Sequence, residues 1–189
     1  MLITPVDNES NLYQVNDAMP PELVAKILAT PWLDLPWHRQ QGQESWARRR
    51  IDDDVLPWAM EWELACYRIW SDISIAVGFE LENYMGTAWW VDEPGFTCSM
   101  HTDGEMPGAM QLTWIGANED LGTSFYWYRD PASKRFQFPM RANTGYILVN
   151  RPNTDGYRNL LWHAMLNPVP KNTYRLTSYS WIIQHSRSF

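Results

Sequence analysis

Two histidines and one aspartate have the residue types and spacing of a metal site. His101 and Asp103 are two residues apart, so an extended strand places both side chains on one face. His163 comes much later, in the apolar segment LLWHAML, which also predicts a strand. Two imidazoles and one carboxylate can hold divalent iron on one triangular face and leave the opposite positions open. We therefore predict that His101, Asp103 and His163 are metal ligands in a catalytic site that a substrate and O2 can enter.

Arg175 and Thr177 could bind an acid beside this metal. Arg175 begins the segment RLTSYSWII, and Thr177 follows two residues later, on the same face of a strand. A guanidinium group holds a carboxylate through two parallel hydrogen bonds, and a neighbouring hydroxyl can donate another. The C-terminal segment therefore predicts a site for a carboxylic acid near the metal.

The same residues also have structural explanations. The two histidines could be hydrogen-bonded core residues, Asp103 could begin a turn at the following Gly104, and Arg175 could pair with a surface acid. Other polar side chains are weaker pocket candidates, because a structural role is the commoner outcome for each; they are Gln111, Thr113, Tyr126, Tyr128 and Arg151. His38 and His185 have no partner at a useful spacing and are expected to be exposed.

The motifs around the site residues resemble those of the iron(II)- and 2-oxoglutarate-dependent oxygenases. The resemblance covers about residues 84–183. The motifs that carry it are HTD at 101–103, GTSFYWY at 122–128, NTGYILVN at 143–150, WHAM at 162–165 and YRLTSYSW at 174–181. Their order is similar to the family's, and a turn containing glycine precedes the strand before the distal histidine. The resemblance implies a double-stranded β-helix, which is a jelly roll.

Carried over residue by residue, the resemblance implies a cofactor and a cosubstrate. His101, Asp103 and His163 would bind Fe(2+), while Arg175, assisted by Thr177, would bind the distal carboxylate of 2-oxoglutarate. The implied enzyme is a dioxygenase that converts 2-oxoglutarate to succinate and CO2. It would hydroxylate a C–H bond of a small molecule or a peptide side chain, and the protein would position the target carbon.

Departures from the family's motifs narrow the expected branch. The alkylation-repair oxygenases follow their arginine with Asn, Thr and a second Arg, whereas Arg175 is followed by LTSYS. Collagen-type prolyl hydroxylases usually have Lys at that position, and halogenases replace the carboxylate that Asp103 retains. The strand before the HTD motif usually carries a Tyr that faces the cosubstrate, but Trp89 and Trp90 stand here.

Two other functions remain open from the sequence. A cupin-like metalloenzyme that does not use 2-oxoglutarate would keep the three ligands and give Arg175 to the carboxylate of its own substrate. A non-catalytic jelly-roll binding module would use its tryptophans to stack on a sugar or a protein.

The predicted elements make the chain mainly β with flanking helices. Apolar residues recur every three or four positions over 21–28 and over 56–77, where Gly78 is expected to end the helix. Period-two patterns then predict eight strands, at 86–92, 97–103, 109–116, 122–128, 135–140, 145–149, 160–166 and 173–183. We expect one domain, 1–189, in which a cupin-like jelly-roll core at 81–189 is braced on one face by N-terminal helices.

The N-terminal third, within a supporting segment at 1–80, is expected to be largely irregular. We interpret residues 1–55 as irregular apart from the first helix, and ARRRIDDD as a solvated surface turn. The alternative is a lid, formed from residues 30–55, whose Arg48–Arg50 help to recruit an anion.

Composition excludes several function classes. The net charge of −7 and a pI near 5.0 disfavour nucleic acid as a partner. The sequence shows no signal peptide and no apolar run long enough to cross a membrane. Cys66 and Cys98 do not form a disulfide framework. We therefore expect a cytoplasmic protein without a membrane partner. The 12 tryptophans predict either a densely aromatic core or a lined cavity. The sequence leaves the oligomeric state open.

Overall fold

Two antiparallel sheets with a cavity between them form the molecule. The computed structural model describes residues 1–6, 12–38, 47–77, 84–103, 106–149 and 161–183. The strands are β1 (Leu2–Pro5), β2 (Leu12–Asn16), β3 (Arg48–Ile51), β4 (Tyr84–Asp92), β5 (Cys98–His101), β6 (Gly108–Ile115), β7 (Ser124–Tyr126), β8 (Lys134–Gln137), β9 (Thr144–Val149), β10 (Trp162–Met165) and β11 (Arg175–Ile183). The helices are α1 (Pro21–Ala29) and α2 (Ala59–Val77), with single 3-10 turns at Asp53–Val55, Glu119–Leu121 and Pro131–Ser133.

The strand order is that of a jelly roll with one extended sheet. The major sheet has the order β1-β2-β9-β6-β11-β4-β3, and the minor sheet has the order β5-β10-β7-β8. The strands predicted from 86 onward are all present, and no predicted end differs from the observed one by more than three residues. The predicted mainly-β jelly roll with flanking helices is therefore confirmed.

Alternation along β11 divides the major sheet into a helix-covered face and a cavity face. Ser178 and Ser180 accept hydrogen bonds from the indole N–H groups of Trp114 and Trp70, both 2.9 Å long, beneath the helices. Residues of the opposite parity, beginning with Arg175, face the minor sheet. A shift of β11 by one residue relative to its neighbouring strands would therefore turn the site residues toward the core and the core residues toward the cavity.

Both predicted helices are present and brace the outer face of the major sheet. Helix α1 has Pro21 in its first turn, where a missing backbone N–H costs nothing, and it buries Leu23 and Ile27. Helix α2 buries one stripe at three- and four-residue spacings, consisting of Trp62, Cys66, Ile69, Trp70 and Ile73. It begins at Ala59 rather than 56 because the chain turns at Pro57 and Trp58 before it.

Most of the buried tryptophans belong to the core rather than to a ligand site. Trp89 of β4 is fully buried at the centre of this cluster, with the Trp32 ring stacked on it at 4.6 Å and the Trp62 ring 4.7 Å away. Trp58 and Trp114 complete the cluster at centroid distances of 5.3 and 5.8 Å from Trp89. Of the two alternatives for the tryptophans, the aromatic core therefore accounts for this group.

The expectation that residues 1–55 are largely irregular is wrong. Strands β1 and β2 form a hairpin on β9, and β3 pairs with β4, so both edges of the major sheet come from this region. ARRRIDDD is likewise not a turn, since Arg48–Ile51 is a strand in register with Trp89–Asp92. These strands have four or five residues, too few for a clear alternating pattern, and charged residues are common on edge strands.

Several expectations fall on residues outside the described part of the chain. They concern the helix stop at Gly78, the pocket candidate Arg151, the exposure of His185 and much of the candidate lid at 30–55. Within the described ranges, no helix has the length and apolar character needed to cross a lipid bilayer.

Candidate active site

The three predicted metal ligands meet at one end of the minor sheet. His101 ends β5 and stands directly opposite His163 of the antiparallel β10, with the two ring centroids 4.3 Å apart. Asp103 follows β5 closely, and its Oδ1 lies 3.3 Å from His163 Nε2 and 3.9 Å from His101 Nε2. One ligand atom from each residue falls within 4.8 Å of the other two. The sequence prediction that these residues share one site agrees with this geometry.

Backbone carbonyls orient both imidazoles toward Asp103. Nδ1 of His101 lies 2.7 Å from the Ser99 carbonyl oxygen, and Nδ1 of His163 lies 3.3 Å from that of Leu161. A carbonyl can only accept, so each Nδ1 carries the donated proton in this arrangement. When the imidazole is neutral, this leaves the lone pair on Nε2, which is the atom that a metal requires, and a metal that binds His101 must displace its second proton.

The charges of the triad are set by its neighbours. A hydrogen bond with the Cys98 thiol raises the pKa of His101 to about 9. Burial opposes ionisation of Cys98, but the hydrogen bond to His101 prevails and lowers the pKa of this thiol. Burial also opposes ionisation of Asp103, yet His163 and His101 together hold the pKa of its carboxyl below the ordinary value. Asp103 is therefore an anion at neutral pH.

A divalent cation fits the donor set. The Oδ2 atom of Asp103 is buried and has no hydrogen-bond partner among the described residues. Such an orphaned charged oxygen is costly unless a cation or a donor accompanies it. Two Nε2 atoms and one carboxylate, on one side of an open cavity, match the three-ligand face used for non-haem iron.

Arg175 lies on the other wall of the cavity and shares a buried carboxylate with a second arginine. Its Nη1 donates to Asp92 Oδ2 at 2.7 Å, and Arg48 Nε donates to Asp92 Oδ1 at 2.6 Å. Asp92 is fully buried and Arg175 is 1% exposed. Two guanidinium groups with one carboxylate leave a surplus positive charge, and Nε of Arg175 has no hydrogen-bond partner in the described part. An anion in the cavity would balance the surplus positive charge and accept a hydrogen bond from Nε of Arg175.

A cavity of about 310 Å³ connects the triad with the arginines. His101, Asp103 and His163 line it from the minor sheet, and Arg175 and Arg48 line it from the major sheet. Gln111 also lines it, where its Oε1 accepts from Thr123 Oγ1 at 2.6 Å and lies 3.4 Å from Arg175 Nη2. The weak candidate Gln111 is therefore in the pocket.

Thr177 lies away from the cavity surface, whereas Arg175 lines the cavity. It is fully buried, and its hydroxyl has no hydrogen-bond partner among the described residues, but it is not among the residues that line the cavity. The next residue of the same face, Tyr179, does line the cavity and carries another buried hydroxyl without a described partner. The role of Thr177 toward an acid ligand stays a prediction.

The other weak candidates that fall within the described residues do not line the cavity. Thr113 is buried and hydrogen-bonds to the carbonyls of Arg141 and Thr144. Tyr126 is buried elsewhere in the minor sheet, and Tyr128 is 72% exposed. Trp90, in place of the tyrosine usual in the resembled family, does line the cavity, whereas Trp89 faces the helices.

Sequence reasoning missed the Arg48–Asp92 pair. Asp92 ends β4 directly before the Glu-Pro-Gly turn, where an aspartate is expected on the surface. The available signal was its period-two spacing from Trp90, which places both side chains on the cavity face.

Comparison with solved structures gives the fold. A prolyl-4-hydroxylase from Pseudomonas putida superposes with a TM-score of 0.63 at 13% identity, over 94% of this chain and 95% of that chain. The epimerase SnoN from nogalamycin biosynthesis, in a complex with Fe3+, alpha ketoglutarate and nogalamycin RO, gives a TM-score of 0.62 at 10% identity over 93% and 79%. The Arabidopsis thaliana dioxygenase for auxin oxidation, with 2-oxoglutarate, gives 0.57 at 13% over 90% and 74%.

This chain has the fold of the 2-oxoglutarate- and iron(II)-dependent oxygenases. The resemblance in the sequence motifs is thus confirmed at the level of the fold. No family model and no curated protein matches the sequence. An oxygenase fold at such low identity leaves the chemistry to be argued from the site itself.

Proposed function

We propose that the protein is an iron(II)- and 2-oxoglutarate-dependent dioxygenase. The overall reaction is 2-oxoglutarate plus O2 plus a substrate C–H bond, giving succinate, CO2 and the corresponding alcohol. One oxygen atom of O2 goes to succinate and the other to the alcohol, so the four electrons that O2 accepts come from the cosubstrate and the C–H bond. The substrate is a small molecule or a peptide side chain.

The observation that carries the proposal is one cavity with two complementary walls. The minor sheet supplies a three-ligand face with an orphaned carboxylate oxygen, and the major sheet supplies two arginines with one carboxylate between them. A metal ion would neutralise the negative charge of the three-ligand face, and a dicarboxylate would neutralise the positive charge of the arginines. In a cupin-like enzyme that does not use 2-oxoglutarate, the carboxylate of the substrate would instead neutralise the buried arginines. Binding of 2-oxoglutarate therefore distinguishes the dioxygenase from the cupin-like enzyme.

In this proposal, each group of the chain has one task. His101, Asp103 and His163 would hold Fe(2+), and the bound ion would supply a site for the 2-oxo acid end and for the activation of O2. Arg175 receives the distal carboxylate of 2-oxoglutarate through its donors. Asp92 holds Arg175 in place, and Arg48, which also lines the cavity, adds a second positive charge at this end.

The test combines metal content with succinate formation. Protein purified without chelators is expected to bind one equivalent of Fe(2+) and to convert 2-oxoglutarate slowly to succinate, measured by mass spectrometry. Asp103→Ala and His163→Ala are expected to lose the metal. The matched controls Asp54→Ala and His38→Ala remove an exposed acid and a half-exposed histidine, so they should retain it. Wild-type protein that binds neither iron nor 2-oxoglutarate would overturn the proposal.

A further inference from the structure

Three arginines line the cavity at graded depth. The side chain of Arg175 is 1% exposed, that of Arg48 is 12% exposed and that of Arg50 is 27% exposed. Arg48 and Arg50 are two residues apart on β3, so both point to the cavity face of the same strand. Of these three arginines, Arg50 is therefore the one nearest to solvent.

A charge balance leaves Arg50 for something other than the cosubstrate. Arg48 and Arg175 carry two positive charges and Asp92 and Asp103 two negative ones. A divalent metal and the dianion 2-oxoglutarate would also cancel, and His101 and His163 are neutral when they ligate a metal, so the inner part of the loaded cavity would be neutral. Arg50 is outside this balance, and its partner Asp52 is 47% exposed to solvent.

The guanidinium of Arg50 is held in position with one edge committed. Its Nε donates to Asp52 Oδ1 at 3.1 Å, which is its polar side-chain contact among the described residues. Its backbone is fixed by reciprocal hydrogen bonds with His38 of 3.0 and 2.9 Å, and its side chain lies 5.9 Å from the Trp90 ring centre. A fixed guanidinium whose other N–H groups donate to no described side chain is suited to bind a carboxylate.

Indole rings line the cavity beside Arg50 and farther along the major sheet. Trp90 faces Arg50 across the β3–β4 pair, and Trp181 of β11 lines the cavity farther along the sheet. The Trp181 ring lies over Gly86, where an added Cβ would come within 2.4 Å of it. Gly86 therefore allows the indole to approach the sheet more closely than any residue with a Cβ would.

We propose that the primary substrate is a carboxylic acid with an aromatic or aliphatic body, whose carboxylate pairs with Arg50 while its apolar part contacts Trp90 and Trp181. The reaction of such a substrate rests on the proposed function, but its binding can be measured without turnover. The overall charge of −7 disfavours anions at long range, so the local arginines must supply the attraction.

The test measures binding of matched acids and amides. The protein is loaded anaerobically with Mn2+ and saturating 2-oxoglutarate, so that Arg175 is already engaged, and titrated calorimetrically with phenylacetate, octanoate, their primary amides and phenyl phosphate. We expect at least one of the two acids to bind about tenfold or more tightly than its amide. Arg50→Gln should remove this preference, and Arg50→Lys should retain part of it.

Arg49 provides the matched control. It is the neighbouring residue on β3, it pairs with Glu93 and it does not line the cavity, so Arg49→Gln removes the same charge without altering the proposed site. Equal binding of acids and amides by the wild type overturns the proposal, as does a preference for phenyl phosphate over both acids. An acid preference that survives Arg50→Gln, or that Arg49→Gln abolishes equally, also overturns it.

The same titrations separate this proposal from the proposed function. If 2-oxoglutarate does not bind, the dioxygenase assignment fails, yet an acid preference that depends on Arg50 can still be measured with Mn2+ alone. If 2-oxoglutarate binds and no acid preference exists, only the substrate class fails.

Discussion

At the residue scale, Asp92 is the side chain that holds together the arginine wall of the cavity, the proposed cosubstrate end of the site. It is fully buried and accepts hydrogen bonds from Arg48 and Arg175 on both carboxylate oxygens. Removing one member of a buried ion network leaves an uncompensated buried charge and lowers the stability of the fold strongly. An exposed ion pair contributes little to stability.

Asp92→Asn is therefore expected to lower the free energy of unfolding by about 3 kcal/mol, because two buried guanidinium groups would face each other without an anion. Urea unfolding monitored by tryptophan fluorescence measures this. Glu119→Gln breaks the exposed pair with Arg141 and should cost about 0.5 kcal/mol or less. Equal losses for the two variants would contradict the central role of Asp92.

Arg175→Ala is expected to affect binding more than folding. Asp92 keeps Arg48 as a partner in this variant, so the carboxylate remains paired. The proposed 2-oxoglutarate complex should lose about 2–4 kcal/mol, because a buried carboxylate would lose its paired donor. Calorimetric titration of the Mn2+-loaded protein measures the loss. Unchanged affinity would assign the distal carboxylate to another group.

At the element scale, β11 joins the helix-covered core and the cavity through its two faces. Its even-numbered serines accept from tryptophans of α2 and β6, and its odd-numbered residues include Arg175, Tyr179 and Trp181 of the cavity wall. The period-two pattern predicted this strand and its inward face from sequence, because alternation is strong over nine residues.

Ser180→Ala is expected to destabilise the protein by about 1–2 kcal/mol, since the buried Trp70 N–H would lose its acceptor. Ser180→Thr keeps a hydroxyl and is the matched control. Chemical denaturation of both variants tests this, and an alanine variant as stable as the wild type would show that another acceptor replaces the serine.

Sequence reasoning succeeded where the local pattern was long and failed where it was short. Helix α2 has 19 residues and one apolar stripe, so it was predictable, and the HxD motif fixed the facing of His101 and Asp103. Strand β3 has four residues, three of them arginines, and only pairing with β4 makes it a strand. Its arginines reach the cavity through long-range register, which no local pattern contains.

At the scale of the whole molecule, one partly buried acid introduces a pH dependence of stability. Burial, reinforced by Glu63 and Asp52, raises the pKa of Asp53 to about 7, from a value near 3.8 in a solvated chain. The folded state thus binds a proton that the unfolded chain releases. Its contribution to stability is complete below about pH 4 and is lost as pH rises through about 7.

Asp53→Asn is expected to raise the free energy of unfolding by roughly 2 kcal/mol at pH 8 and to change it little at pH 4, after allowance for partial solvent exposure. Denaturation curves at both pH values measure the difference. Asp54→Asn alters the adjacent exposed acid and should have no such effect. A gain at pH 4 equal to that at pH 8 would assign the effect to packing.

The division of the site between two sheets has a consequence for ligand length. The three proposed metal ligands belong to the minor sheet and its following residues, and the arginine pair belongs to the major sheet. Phe125 of the minor sheet packs against Tyr146 of the major sheet at a centroid distance of 4.9 Å, and such contacts set the gap. In the proposed complex, a diacid one methylene shorter than 2-oxoglutarate would reach less far from the metal ligands toward Arg175, and its contact with one wall would be weaker. Selectivity between homologous diacids would then be governed by an aromatic contact between the sheets.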